Sequence, residues 1–115
     1  MKHIEHNIQK SCIDYFRMQY PKLLIFHVPN ERKQSVIQGA RLKSIGATAG
    51  IPDLVIVGMD NIFFVELKAP KGKLTDSQKT IHANLLSLGH MVYTCFSLHD
   101  FTEVCELELP LTNKQ

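Results

Sequence analysis

The sequence contains no tryptophan, and its 115 residues hold only three cysteines, six glycines and five prolines. So little glycine and proline excludes a collagen-like or low-complexity disordered chain, and neither a repeat nor a biased tract is found. The cysteines, Cys12, Cys95 and Cys105, are odd in number, widely spaced and set in apolar stretches. That pattern suggests neither a disulfide framework nor a CxxC zinc site, and the three are expected to be buried and reduced. Long apolar runs are also missing. Leu23–Phe26 and Ile62–Val65 are far too short to span a bilayer, and Met1-Lys2-His3 leads into no signal-peptide core. The expectation is one domain over residues 1–115 that stays in the cytoplasm with no membrane partner.

Excess charge is scarce as well, the formal net charge being +2, but the charge is unevenly spread. Residues 22–79 carry nine lysines and arginines against five aspartates and glutamates, whereas residues 80–115 carry one against four. Two clusters supply the excess: Arg32, Lys33, Arg41 and Lys43, then Lys68, Lys71, Lys73 and Lys79. A phosphate backbone suits such a segment, and a merely solvated basic face is the alternative.

Ile4, Ile8, Cys12 and Tyr15 recur at helical spacing before Pro21, which predicts an amphipathic helix over 3–20 with Glu5 beside its apolar stripe. Leu23–Val28 reads as a strand stopped by Pro29-Asn30, and a short helix is expected over about 34–45, ended by Gly46. Residues 47–52 form a small-residue loop that delivers Asp53 to a strand over 54–57. Gly58-Met59-Asp60-Asn61 then turns the chain into a strand over 62–68, on which Ile62, Phe64, Glu66 and Lys68 share one face. Thr75-Asp76-Ser77-Gln78 has capping-box spacing, so a helix starts there and ends at Gly89. A strand over 90–96 and a helix over 98–107 complete the order α-β-α-β-β-α-β-α, an α/β sandwich with a mixed central sheet flanked by helices.

A symmetric hairpin at 58–61 pairs Val57 with Ile62 and sets Asp53 opposite Glu66. Two like charges so placed destabilise a sheet unless something offsets them. A divalent cation would, and a hard-oxygen site of this kind accepts Mg²⁺ or Mn²⁺. Lys68, two residues along the same face, is about 6.6–6.8 Å from Glu66 at strand rise, within reach of a phosphate oxygen. Asp53, Glu66 and Lys68 are therefore the candidate catalytic residues, suited to hydrolysis without a covalent enzyme intermediate. Lys71 and Lys73 in the following loop strengthen the phosphodiester reading. His3 and His6 are three apart on a helix and are read as solvated terminal residues.

Gly50-Ile51-Pro52-Asp53 followed by Glu66-Leu67-Lys68 resembles the active-site signature of PD-(D/E)XK nucleases. The match is closer to their VRR-NUC branch, whose Pro-Asn pair, spaced glycine, G-x-PD loop, E-L-K strand and downstream glutamine resemble Pro29-Asn30, Gly39, Gly46, Gly50–Asp53, Glu66–Lys68 and Gln78. That likeness runs from about Glu5 to Phe96. It implies a restriction-endonuclease-like sandwich and a metal-dependent DNA nuclease. It further implies Asp53 and Glu66 as principal ligands, Glu5 as an additional acid near the metals, the Leu67 carbonyl as a further ligand and Lys68 as the catalytic lysine. Gln78 would orient substrate or a neighbouring ligand, or would serve only the capping box. Relatives often carry glycine soon after Pro-Asn, whereas this chain has Glu31-Arg32-Lys33, which puts that loop's substrate role in question. Arg32, Lys33, Arg41, Lys43, Lys71 and Lys73 are the candidate DNA contacts.

Stand-alone relatives resemble dimeric enzymes that cut four-way junctions, so a homodimer acting on branched DNA is expected. A sequence-specific restriction-type enzyme is disfavoured because 115 residues leave little room for base-reading insertions. A binding or assembly module of the same fold without activity is the rival of another class, and intact Asp53, Glu66 and Lys68 argue against it.

Overall fold

In the computed structural model, which describes residues 2–29 and 36–110, eight elements follow in the expected order. They are α1 (Lys2–Gln19), β1 (Leu24–His27), α2 (Val36–Ser44), β2 (Leu54–Val57), β3 (Ile62–Leu67), α3 (Asp76–Ser87), β4 (Met91–Cys95) and α4 (Leu98–Glu108). The sheet order is β1-β2-β3-β4. The first two pairings are antiparallel and the last is parallel, with α3 as the crossover that a parallel pair requires. Within the hairpin, Val57 pairs with Ile62 and Leu54 with Val65, so the expected register holds and Asp53 enters β2 beside Glu66.

Alternation along β3 divides the sheet into two faces. Phe63, Val65 and Leu67 join Ile25, Leu54, Ile56 and Cys95 in the core, which α1 and α4 cover with Cys12, Phe16, Tyr20, Phe101, Cys105 and Leu109. The buried stripe of α1 runs through Cys12 and Phe16 and continues to Tyr20 just past the helix end, while Ile4 is exposed at the helix start. Tyr15 is half-buried and packs edge-on against Phe101, with ring centroids 6.2 Å apart. All three cysteines are buried and free, and burial pushes the thiols of Cys12 and Cys95 up to about 12.

The second face carries Glu66 and is reached by α3 above it. Away from α3, that face exposes Leu24 (55%), Phe26 (44%) and Ile62 (47%). At the hairpin end, Asn61 Nδ2 donates to the carbonyl oxygen and Oε1 of Glu108, whose Oε2 accepts from the Tyr93 hydroxyl. This polar cluster ties the β2–β3 turn to the end of α4. No helix among the described residues is long and apolar enough to cross a membrane.

Candidate active site

The loop before β2 is held by a close backbone approach. Gly50 has φ +89, and a Cβ placed there would lie 2.3 Å from the Ser77 carbonyl oxygen and 2.8 Å from the Gln78 nitrogen. Only glycine tolerates both the left-handed backbone and that contact. The loop thus seats on the first turn of α3, Pro52 is fully buried, and Asp53 emerges at the sheet end. From below, Val28 N and His27 Nδ1 lie 2.9 and 3.1 Å from the Asp53 carbonyl oxygen.

Asp53 Oδ2 accepts from the Leu67 amide at 2.8 Å. Its carboxyl also shares a hydrogen bond with Glu66, which is only 2% exposed. Two carboxyl groups this close, one of them buried, cannot both ionise cheaply. Burial first, then the hydrogen bond and negative charge of Asp53, push Glu66 up from 4.5 to about 9, against the pull of Lys68. Glu5 adds to that upward push, and its Oε2 lies 3.5 Å from the Ala69 amide, so the acid from α1 reaches the same neighbourhood.

Helix α3 supplies the ceiling. Thr75 caps it, accepting from Gln78 N at 3.2 Å, while Gln78 Oε1 accepts from Thr75 N at 2.9 Å. The same Gln78 donates from Nε2 to Glu66 Oε2 at 3.2 Å. One amide thus serves two partners, its oxygen accepting at the cap and its nitrogen donating to the Glu66 carboxyl. One turn later His82, 8% exposed, brings Nε2 to 3.3 Å from Glu66 Oε1. Burial, and then the charge of Lys68, hold this imidazole below its ordinary value of 6.5. His82 escaped the sequence reading, although Gln78-x-x-x-His82 at i,i+4 behind a capping box was a legible sign that both face one way.

Lys68 leaves the end of β3 half-buried, with its amide donating to the Cys95 carbonyl at 3.0 Å. Beyond it, Ala69-Pro70-Lys71-Gly72 makes a tight turn, closed by Gly72 N on the Ala69 carbonyl at 2.8 Å with Lys71 at φ +70. Lys71 and Lys73 are on that loop, and Arg41 and Lys43 on the last turn of α2. A cavity of about 340 Å³ separates α2 from the loop before Asp53, lined in part by Lys43, Thr48 and Ile51. Arg32 and Lys33 lie outside the described residues.

Among the described residues, no three His, Cys, Asp or Glu side chains form a ready-made metal cage. Two hydrogen-bonded carboxyl groups, one of them buried, nevertheless fit a magnesium-type ion, which is commonly held by one or two carboxylates with water and phosphate oxygens completing the shell.

Among solved structures, this chain is similar to a VRR_NUC domain protein at TM-score 0.73 and 20% identity, over 90% of this chain and 86% of that one. It is also similar to a VRR_NUC domain at TM-score 0.65 and 20% identity, over 91% of this chain and 97% of the other. No curated protein matches the chain. The shared architecture is the mixed α/β sandwich of a nuclease-like fold. The sequence itself matches the VRR-NUC domain over residues 5–97, and the chain belongs to this family of nuclease type.

Proposed function

We propose that this protein is a divalent-metal-dependent DNA endonuclease of the PD-(D/E)XK kind. The observation that carries the reading is the Asp53–Glu66 carboxyl pair, with Glu66 buried and Lys68 two residues beyond it. Bound Mg²⁺ or Mn²⁺ would supply Lewis acidity toward a phosphoryl oxygen and an activated water. Asp53 and Glu66 would hold the ion, with the Leu67 carbonyl as a further donor and Glu5 as a rim acid. Lys68 would stabilise the charge that develops on the phosphate, and Gln78 would keep Glu66 in place. Arg41, Lys43, Lys71 and Lys73, on the α2 end and the loop after β3, support backbone binding, and Arg32 and Lys33 are carried with them as candidate contacts.

Branched DNA, four-way junctions in particular, is the proposed substrate, and a homodimer the proposed assembly. Two sites related by a two-fold axis suit two equivalent strands. The exposed apolar sheet face at Leu24, Phe26 and Ile62 supports pairing, since patches of this kind mark interfaces. Branched, flap, nicked and linear DNAs, each incubated with Mg²⁺, Mn²⁺ or chelator, test the activity. Cleavage that needs the ion and favours junctions is expected, whereas cleavage unaffected by chelator would remove the metal reading. Light scattering at micromolar concentration, with and without junction DNA, tests the assembly. A 13.1 kDa species in both conditions would exclude the dimer.

A further inference from the structure

We propose that His82 is a positioning residue, donating from Nε2 to Glu66 Oε1 so that, together with Gln78, it fixes the carboxylate plane for a divalent cation. The inference rests on the nuclease reading above and adds a residue that the PD and E-L-K motifs do not contain. Its basis is geometric. Gln78 and His82 are one turn apart on the same face of α3, and each serves a different oxygen of Glu66, at 3.2 and 3.3 Å.

The clamp has a built-in phase. Gln78 Oε1 is engaged by the Thr75 amide, so its Nε2 must be the end that meets Glu66. The close contact of Gly50 with Ser77 and Gln78 seats the same turn of α3 on the loop that carries Asp53. His82 is then delivered by helix geometry over the other oxygen, in a buried position where an unheld carboxylate would otherwise choose among rotamers. An ionised carboxylate offers about four lone-pair sites, so two donors leave about two for a cation. Hydrogen-bond partners of ligating groups tune metal sites in this manner, and their removal typically costs about 10–100-fold in affinity or activity.

Three measurements test the role: Mn²⁺ titration followed by electron paramagnetic resonance, steady-state cleavage, and imidazole ¹⁵N spectra of the Mg²⁺-loaded protein. His82→Phe should weaken Mn²⁺ binding about 10–100-fold and lower kcat with little change in KM for DNA. His82→Gln, which restores an N–H donor, should recover most of the affinity. The spectra should show His82 protonated at Nε2. An Nε2 without a proton would make His82 a direct ligand or an acceptor and would overturn the proposal. So would unchanged Mn²⁺ affinity in folded His82→Phe. Should that variant melt below the assay temperature, His82→Asn, too short to reach Glu66, makes the same comparison. Wild-type protein that takes up no Mn²⁺ would refute the metal reading and this role together, whereas wild-type binding matched by the variant refutes the role of His82 alone.

Discussion

Replacing Asp53 by Asn is the sharpest perturbation of the carboxyl pair, because Asn keeps the shape and an acceptor for the Leu67 amide while removing the charge beside Glu66. In the metal-free wild type, Glu66 holds its proton in the fold up to about 9 but loses it near 4.5 when solvated. Its contribution to stability is therefore fully present below about 4.5 and is lost as pH rises toward about 9. Linkage at about 1.4 kcal/mol per pH unit and proton gives a loss of about 2 kcal/mol between about pH 7 and 9. For a domain of this size that is roughly 8 °C in Tm. His82 slopes the other way, being held below 6.5, so its contribution is present above that value and lost as pH falls. Its titration lies below the chosen window. Asp53→Asn should flatten the slope only in part, because burial, the largest cause of the Glu66 shift, remains. An apo variant about 1 kcal/mol more stable than wild type at about pH 9 is expected, together with weaker Mg²⁺ binding. Thermal melts in chelator across this range, paired with Mg²⁺ calorimetry, measure both. Wild-type stability that is flat over the window, or an Asn variant that is less stable apo with unchanged metal affinity, would refute the reasoning and make Asp53 a structural residue.

Asp53→Ala, Glu66→Ala and Lys68→Ala should each abolish cleavage in nuclease assays, and retained cleavage by folded Asp53→Ala would sink the site assignment. Gly50→Ala forces a Cβ to 2.3 Å from the Ser77 carbonyl oxygen at φ +89. It should cost about 1–3 kcal/mol in denaturant melts and lower activity by lifting α3 off Glu66; a neutral result would show that the contact is slack. Lys71→Gly relieves a left-handed lysine at φ +70 and should gain up to about 1 kcal/mol, while reducing the salt slope of DNA binding by about 1 if Lys71 meets a phosphate. Phe101→Ala, at a fully buried position, should cost about 3–5 kcal/mol in urea unfolding.

Local physics made much of this protein readable. Alternation along Ile62–Leu67, the four-residue turn at 58–61 and the Thr75–Gln78 cap each depend on a few neighbouring residues, so the hairpin register, the start of α3 and the element order could be written down from sequence. The position of Asp53 beside Glu66 followed from that register. Periodicity is blind to what lies above a sheet. That β1 pairs with β2 while β4 pairs parallel to β3 is a long-range choice, decided by burying α1 and α4 on one face and sending α3 across the other. Only that packing brought His82 to Glu66, let Gln78 cap a helix and hold a carboxylate together, and made Gly50 a point of contact instead of a loop residue. The raised Glu66 arises in the same way, since two carboxyl groups can be paired by register, but the burial that most strongly keeps the proton on Glu66 belongs to the assembled fold.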